Sequence, residues 1–297
     1  MFEQPLVSVL MNCYNGEKYL REAIESVLSQ SYENWELVFW DNRSSDNSGT
    51  ICKSYEDPRI RYFLAERHTN LAAARILAFQ QVCGEFVAVL DVDDTSHSDR
   101  LARQVAFLEQ HPEVALVGSW VKLVNTHGKL ISEYRPPVNT DELYQCLGWT
   151  NPIVNSSSMY RRQIAELLGG YSAEFLNSQD FCLVLDIAAQ FKIAVIDDFL
   201  CHLMISSTSL SRSTYRVIAA KETLLLLQRS AERLTLSQNT MSLNRRSIAI
   251  AQVKLGIYRI LDGEIITGLK QIIFNLIDQP STLWGNGLAR RLFGKPY

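Results

Sequence analysis

The sequence predicts an α/β protein: an open, mostly parallel sheet flanked by helices, followed by a helical C-terminal extension. Three observations carry this. Four apolar runs in the first hundred residues have the near-continuous hydrophobicity of strands buried on both faces. Amphipathic stretches with helical spacing separate them, which is the βαβ rhythm. Beyond about Ser211 the pattern turns mainly helical and stays so.

The strand candidates are Leu6–Asn12, Trp35–Asn42, Ile60–Ala65 and Glu85–Asp94. Between the first two, Tyr19, Leu20, Ala23, Ile24, Val27 and Leu28 recur at helical spacing. A second helix, "NLAAARILAFQQV", joins the third and fourth, and the order is that of a Rossmann-like sheet. "SDRLARQVAFLEQHP" reads as a helix capped by Ser98 and stopped before Pro112. "VALVGSWVKLV" follows as a strand, with His127-Gly128 as a hairpin turn. "SQDFCLVLDIAAQF" is an amphipathic helix and "KIAVIDDFLCHLMI" a strand. The expected division is an α/β domain over 1–211, in halves 1–98 and 99–211, and an extension over 212–297.

With 297 residues, 47% of them hydrophobic, the chain can bury a large core. A net charge of −3 gives no footprint for nucleic acid. The six cysteines show no C-x-x-C spacing, which argues against zinc and for buried thiols in a reducing compartment. The start lacks a signal-like region and no apolar run has the length of a membrane span, so a cytoplasmic protein is expected.

Open α/β sheets bind ligands beyond the carboxyl ends of their strands. Those ends carry Asn12 with Tyr14 and Asn15, then Asp41 and Asn42, then Asp91, Asp93 and Asp94. Asx residues also start turns, and for Asn15-Gly16 and "DNRSSDNSG" the turn is an equal reading. In an extended strand Asp91 and Asp93 would share a side, with Asp94 turned away. Two adjacent carboxylates repel unless a cation joins them, and oxygen-only ligands favour Mg²⁺ or Mn²⁺. Asp94 and Asp99 are expected to cap or solvate a helix start. Asp91-x-Asp93-x-Thr95 also matches a phosphatase nucleophile motif, but about 80 residues of βαβ precede it. A nucleotidyltransferase would need a Gly-rich phosphate loop after strand one, which is absent.

Three blocks carry a family resemblance: "VSVLMNCYNGEKYLREAIESVLSQSYENWELVFWDNRSSDNS", "GEFVAVLDVDDTSHSDRL", and "NPIVNSSSMYRR" continuing to "LLGGYSAEFLNSQDFCLVLDIA". Together they resemble the inverting family-2 glycosyltransferases of GT-A fold over roughly the first 210 residues. The resemblance implies a nucleotide-diphosphate sugar donor bound by Asn12, Tyr14, Asn15, Asp41, Asn42, Arg75 and Asp91. It implies a divalent cation, Mn²⁺ or Mg²⁺, on Asp93 and Asp91, and Asp180 as the general base. The acceptor is implied to be a glycan or lipid-linked saccharide, in cell-surface polysaccharide synthesis.

Several positions depart from the family pattern. Asn42 stands where an Asp usually receives a base N–H; its amide can accept that bond or donate to another base edge. Asn70 replaces a Gly, Gln179 replaces the Glu before Asp180, and Met204 and Ser206 replace an Arg and a His. These departures keep a non-catalytic sugar-nucleotide-binding protein in view, beside the phosphohydrolase. Asp180 opens a helix, where a dipole lowers its pKa, so a useful base there requires a partly enclosed site. Gly169-Gly170-Tyr171 is expected to edge the acceptor as a flexible loop, or to stop a helix. The five histidines show no metal spacing and are expected in satisfied surface or core roles. "LARRLFGKPY" sets Arg290, Arg291 and Lys295 beside Leu288, Leu292 and Phe293, a tail suited to peripheral contact with an anionic membrane.

Overall fold

The computed structural model describes residues 4–205 and 216–278. They form two compact units. The first holds a nine-stranded sheet in the order β3-β2-β1-β4-β8-β6-β9-β5, where β5 is Thr95–Ser96 and β7 is hydrogen-bonded to β6. Its parallel half is β1 (Val7–Cys13), β2 (Trp35–Asp41), β3 (Ile60–Leu64) and β4 (Phe86–Val89). All seven residues of β2 are buried, as a central parallel strand covered on both faces requires. The other half mixes directions: β8 (Met159–Arg161) lies antiparallel to β4 and to β6 (Val114–Val124), while β6 runs parallel to β9 (Lys192–Met204).

Helix α1 (Leu20–Leu28) and α4 (Arg100–Gln110) cover one face of this sheet. Leu20, Ile24 and Val27 from α1 and Leu101, Val105 and Leu108 from α4 join Val9, Met11, Phe39 and Phe86 in one core cluster. β2 and β4 flank β1 on opposite sides, both parallel to it. The strand order therefore reverses at β1, and a ligand crevice belongs beyond the carboxyl ends of β1 and β4.

Some elements differ from expectation. β4 ends at Val89, because the chain turns over Asp91–Asp94 with the Asp94 N–H on the Asp91 carbonyl at 3.1 Å. The three aspartates are thus not extended. Asp99, not Ser98, takes the N-cap position of α4. Asn70 caps α3 (Leu71–Phe79), its side chain accepting the Ala73 N–H at 2.9 Å. The hairpin at His127-Gly128 is present, with Gly128 at φ 71° leading into β7 (Leu130–Tyr134). All six cysteines are free thiols.

The second unit contains helices α8 (Arg216–Arg233), α9 (Gln238–Leu261) and α10 (Ile265–Asp278). Two earlier segments, Tyr144–Asn151 and Phe175–Ser178, belong to it as well. Buried Asn244 ties one of them to α8, donating to the Gly148 carbonyl at 2.6 Å and the Leu227 carbonyl at 2.8 Å. Among the described residues no helix is long and apolar enough to cross a membrane. Ser206 and the 288–297 tail lie outside the described residues.

Candidate active site

The carboxyl ends of β1 and β2 are laced together by their loops. The Gly16 N–H donates to Ser48 Oγ at 2.9 Å, and the Glu17 N–H to Asp46 Oδ2 at 3.0 Å. Asn15, in left-handed conformation at φ 54°, accepts the Ser45 N–H on its Oδ1 at 2.8 Å. Asn15 therefore takes its turn role. Asp41 is buried, its carboxylate held by the Ser44 N–H and the Tyr62 hydroxyl, each at 2.7 Å. Asn15 stays exposed, whereas Asp41 is enclosed by these bonds.

Asn42 is engaged in the same way. Its Oδ1 accepts the Thr69 N–H at 3.2 Å and the Thr69 hydroxyl at 3.0 Å, and its Nδ2 donates to the Thr69 carbonyl at 2.7 Å. Both lone pairs of the amide oxygen are filled, so Asn42 organises the 68–69 loop. That loop brings in His68, which the spacing of histidines did not mark as a site residue. His68 Nδ1 lies 3.0 Å from the Asn42 carbonyl, which can only accept, so Nδ1 is the donor in that contact. Exposed Tyr14 packs on the imidazole with ring centroids 4.1 Å apart. Asn12 lies one residue before the end of β1, and its Nδ2 is buried without a partner. A donor in that state awaits an acceptor.

The acidic centre lies past β4. Asp91 accepts Asn155 Nδ2 at 3.1 Å on both oxygens and Arg75 Nη2 at 3.3 Å, while its own N–H donates to Ser156 Oγ. Asn155 and Ser156 belong to a single 3-10 turn, Asn155–Ser157. Sequence patterning gave no signal for either residue, because their role is set by strand order. Asp94 is buried rather than solvated: Ser156 Oγ donates to it at 2.5 Å and the Met204 N–H at 2.9 Å. Burial, with the charges of Asp93 and Asp91 added, pushes its pKa well up. Asp93 is pushed to about 6 by burial and the Asp91 charge, with a hydrogen bond from its own backbone N–H opposing the rise. It faces a cleft of about 330 Å³ lined also by Glu22, Thr95, His127, His202 and Met204.

Arg75 connects this centre to α7 (Gln179–Ala188). It is buried, with Nη1 on Gln179 Oε1 at 3.3 Å and Nη2 on Asp91. Burial opposes its charge, but Asp91 and Asp180 outweigh that and raise its pKa further. The neutral Gln179 thus serves as acceptor to the guanidinium that Asp91 neutralises. Asp180 follows in the first turn of α7, partly buried. Burial raises its pKa, and the field of Arg75 opposes the rise without cancelling it. It lines a cavity of about 10 Å³, room for one water, with Asn155, Tyr160 and Tyr171 among the walls.

The Gly169-Gly170 pair is a helix stop. Both residues have positive φ, 90° and 69°, and the Gly170 N–H closes on the Ala165 carbonyl at 2.7 Å. Tyr171 then turns inward, buried, with its hydroxyl 3.2 Å from that of Tyr160. Asp186 is drawn to the Cys182 thiol at 3.5 Å, within α7. Among the described residues no three His, Cys, Asp or Glu side chains are grouped as a ready cation cage. Asp91 and Asp93 are the pair that could hold a cation.

Comparison with known proteins gives this geometry its context. A glycosyltransferase of Methanocaldococcus jannaschii is 31% identical over 204 residues, 67% of this chain and 70% of that protein. The Escherichia coli enzyme WfgD, a UDP-Glc:alpha-D-GlcNAc-diphosphoundecaprenol beta-1,3-glucosyltransferase, is 29% identical over 71% of this chain and 81% of its own. Staphylococcus aureus TarS bound to UDP-GlcNAc superposes with a TM-score of 0.68 at 18% identity, over 92% of this chain and 80% of that one. A mannosyltransferase of Pyrobaculum calidifontis, in complex with GDP-Man and Mn²⁺, gives 0.65 at 18% identity, over 99% and 86%. At such identity these two structures speak to the fold alone, and they place it in the GT-A class. The profile described as Glycosyl transferase family 2 matches residues 8–169, more than half of the chain. The chain belongs to glycosyl transferase family 2.

Proposed function

We propose that this glycosyltransferase moves a sugar from a nucleoside-diphosphate donor to a saccharide or lipid-linked acceptor, with inversion, in the synthesis of a cell-surface polysaccharide. The observation that carries the reading is the Arg75 bridge, which joins the acidic turn after β4 to the start of α7. It sets Asp91, Asp180 and a buried cation in one electrostatic unit. The lipid-diphosphate acceptor of WfgD and the UDP-GlcNAc and GDP-Man of the structural neighbours support the substrate classes.

In this reading the exposed Tyr14 ring and His68 receive the base, and the orphan Asn12 Nδ2 donates to the nucleotide. Asp41, Asn42 and Asn15 hold that lip in shape. Asp93 and Asp91 fit a hard divalent cation, Mn²⁺ or Mg²⁺. Burial and, after it, the Asp91 charge raise the Asp93 pKa, and a positive charge beside the two carboxylates would relieve both effects; water and phosphate oxygens would complete such a metal's coordination. Such an ion would supply charge neutralisation to the departing diphosphate. Arg75 holds Asp91 in place for that task.

The chemical step belongs to Asp180. The acceptor hydroxyl attacks the anomeric carbon from the face opposite the diphosphate, the bond to the diphosphate oxygen breaks, and Asp180 takes the hydroxyl proton. The products are the glycosylated acceptor and a nucleoside diphosphate. Burial raises the pKa of the carboxyl group and so makes the carboxylate a stronger base. A phosphatase nucleophile of this motif is expected after the first strand, whereas about 80 residues of βαβ precede Asp91. The test is the anomeric configuration of the product by NMR, on wild type and Asp180→Asn. Inversion that is lost with Asp180 is expected; retention of configuration would overturn the mechanism.

A further inference from the structure

Helix α7 begins at Gln179, directly after Ser178 in the chain. Residues Phe175–Ser178 belong to the second unit, together with α8. Glu222 of α8 is buried and uncommonly placed for a carboxylate. Its Oε1 accepts the Leu176 N–H at 2.5 Å, and its Oε2 accepts the Asn177 and Ser178 N–H groups, each at 3.0 Å. Seven residues and two helical turns further on, the Arg229 guanidinium lies 4.9 Å from the ring centroid of buried Phe175. One face of α8 thus grips four consecutive residues, three by charge-assisted hydrogen bonds and one by its ring.

Those N–H groups have a specific value. A helix leaves its first N–H groups without intrahelical partners, and the backbone just before it has no ladder to hold it. Here a single carboxylate takes three successive N–H groups immediately before the first turn. Asp180 is two residues beyond the last of them. A first-turn side chain is only as well placed as the turn itself, and that turn is the part of a helix that frays.

We propose that Glu222 is a positioning residue for the general base: by holding the Leu176, Asn177 and Ser178 N–H groups it fixes where α7 starts and hence where the Asp180 carboxylate is held. The inference rests on the reading of Asp180 as the base. It gives the helical C-terminal region a part in the chemistry, without contact to substrate.

The test uses the full chain and Glu222→Gln, which keeps the shape but loses the charge and one acceptor oxygen. Arg216→Ala, which removes the Arg216–Asp262 ion pair elsewhere on α8, controls for simple loosening of that helix. Hydrogen exchange over the 175–185 stretch is expected to speed up in Glu222→Gln, with β1 and β2 still protected. Release of nucleoside diphosphate from UDP-glucose, UDP-GlcNAc and GDP-mannose, with water as acceptor, is expected to fall about tenfold or more in kcat, with the donor KM held within about twofold. Arg216→Ala is expected to leave both readouts unchanged. Unaltered exchange over 175–185 in Glu222→Gln would overturn the inference, as would equal losses in Glu222→Gln and Arg216→Ala. If instead Asp180→Asn retains full turnover, the base assignment fails, and the faster exchange in Glu222→Gln then reports on helix structure alone.

Discussion

The surroundings of Asp180, the proposed general base, set its working range. A base must be ionised, so turnover falls as pH drops through its pKa. Burial raises that pKa, so the acid limb of the rate profile is expected above the ordinary aspartate range. Asp180→Asn is expected to cut kcat by about 10²–10⁴-fold, with donor affinity by calorimetry unchanged, since Asp180 does not hold the nucleotide. Asp93 gives a stability prediction with a definite sign. Its folded pKa of about 6 lies above the unfolded value, so between the two the folded chain holds the extra proton. Stability of the metal-free protein therefore falls as pH rises through that window, and the penalty is complete above it. Asp93→Asn removes the penalty and is expected to stabilise the metal-free protein at pH 8 by on the order of 1–2 kcal/mol in urea titrations, with no gain at pH 4. Equal effects at both pH values would contradict the burial of that charge.

At the scale of elements, the site is held by short pieces that answer to a buried cation. Arg100, at the start of α4, is fully enclosed. It donates to the Val89 and Ser158 carbonyls, each at 3.0 Å, and to Ser96 and Gln104. It thus fastens the end of β4 to the 3-10 turn that carries Asn155 and Ser156. Arg100→Lys keeps the charge but not the fork, and is expected to destabilise by about 2–4 kcal/mol, read as a lower urea midpoint. The four parallel strands were legible because a strand buried on both faces has to be apolar throughout. Asp91 and Asp93 were marked as candidates by the end of the fourth run, and Asp180 by the family pattern. The turn after Val89 was not, since three aspartates after an apolar run read equally well as extended chain. Asn155, Ser156 and His68 were also illegible, because each is brought in by strand order or by a loop bond rather than by spacing. The bonds that occupy Asn42 and Asp41 depend on Thr69 and Tyr62, more than 20 residues away.

In the whole molecule, the proposed donor crevice lies at the carboxyl edge of the sheet, and Glu222 on α8 holds the 176–178 backbone. The modest negative charge gives no general attraction to anionic surfaces. Any membrane contact must come from a local feature, and the basic, apolar sequence at 288–295 is the one proposed. Exposed Ile265, Ile266, Leu269 and Ile273 on α10 add apolar surface in the same region of the sequence. If the acceptor is lipid-linked, the full chain is expected to sediment with phosphatidylglycerol vesicles at low ionic strength and to be released by salt. A chain that stays in the supernatant points to a water-soluble saccharide. The central claim is that the carboxylates past β4 hold a cation against the diphosphate of a nucleotide sugar. The direct measurement is a thermal-shift panel of UDP, GDP, dTDP, CDP and ADP, each with and without Mn²⁺, on wild type and Asp93→Ala. A ligand bound only by the folded state raises its apparent stability. Stabilisation by at least one diphosphate that requires Mn²⁺ and disappears in Asp93→Ala is the predicted result. No shift with any diphosphate, or a shift that survives in Asp93→Ala, would contradict the claim.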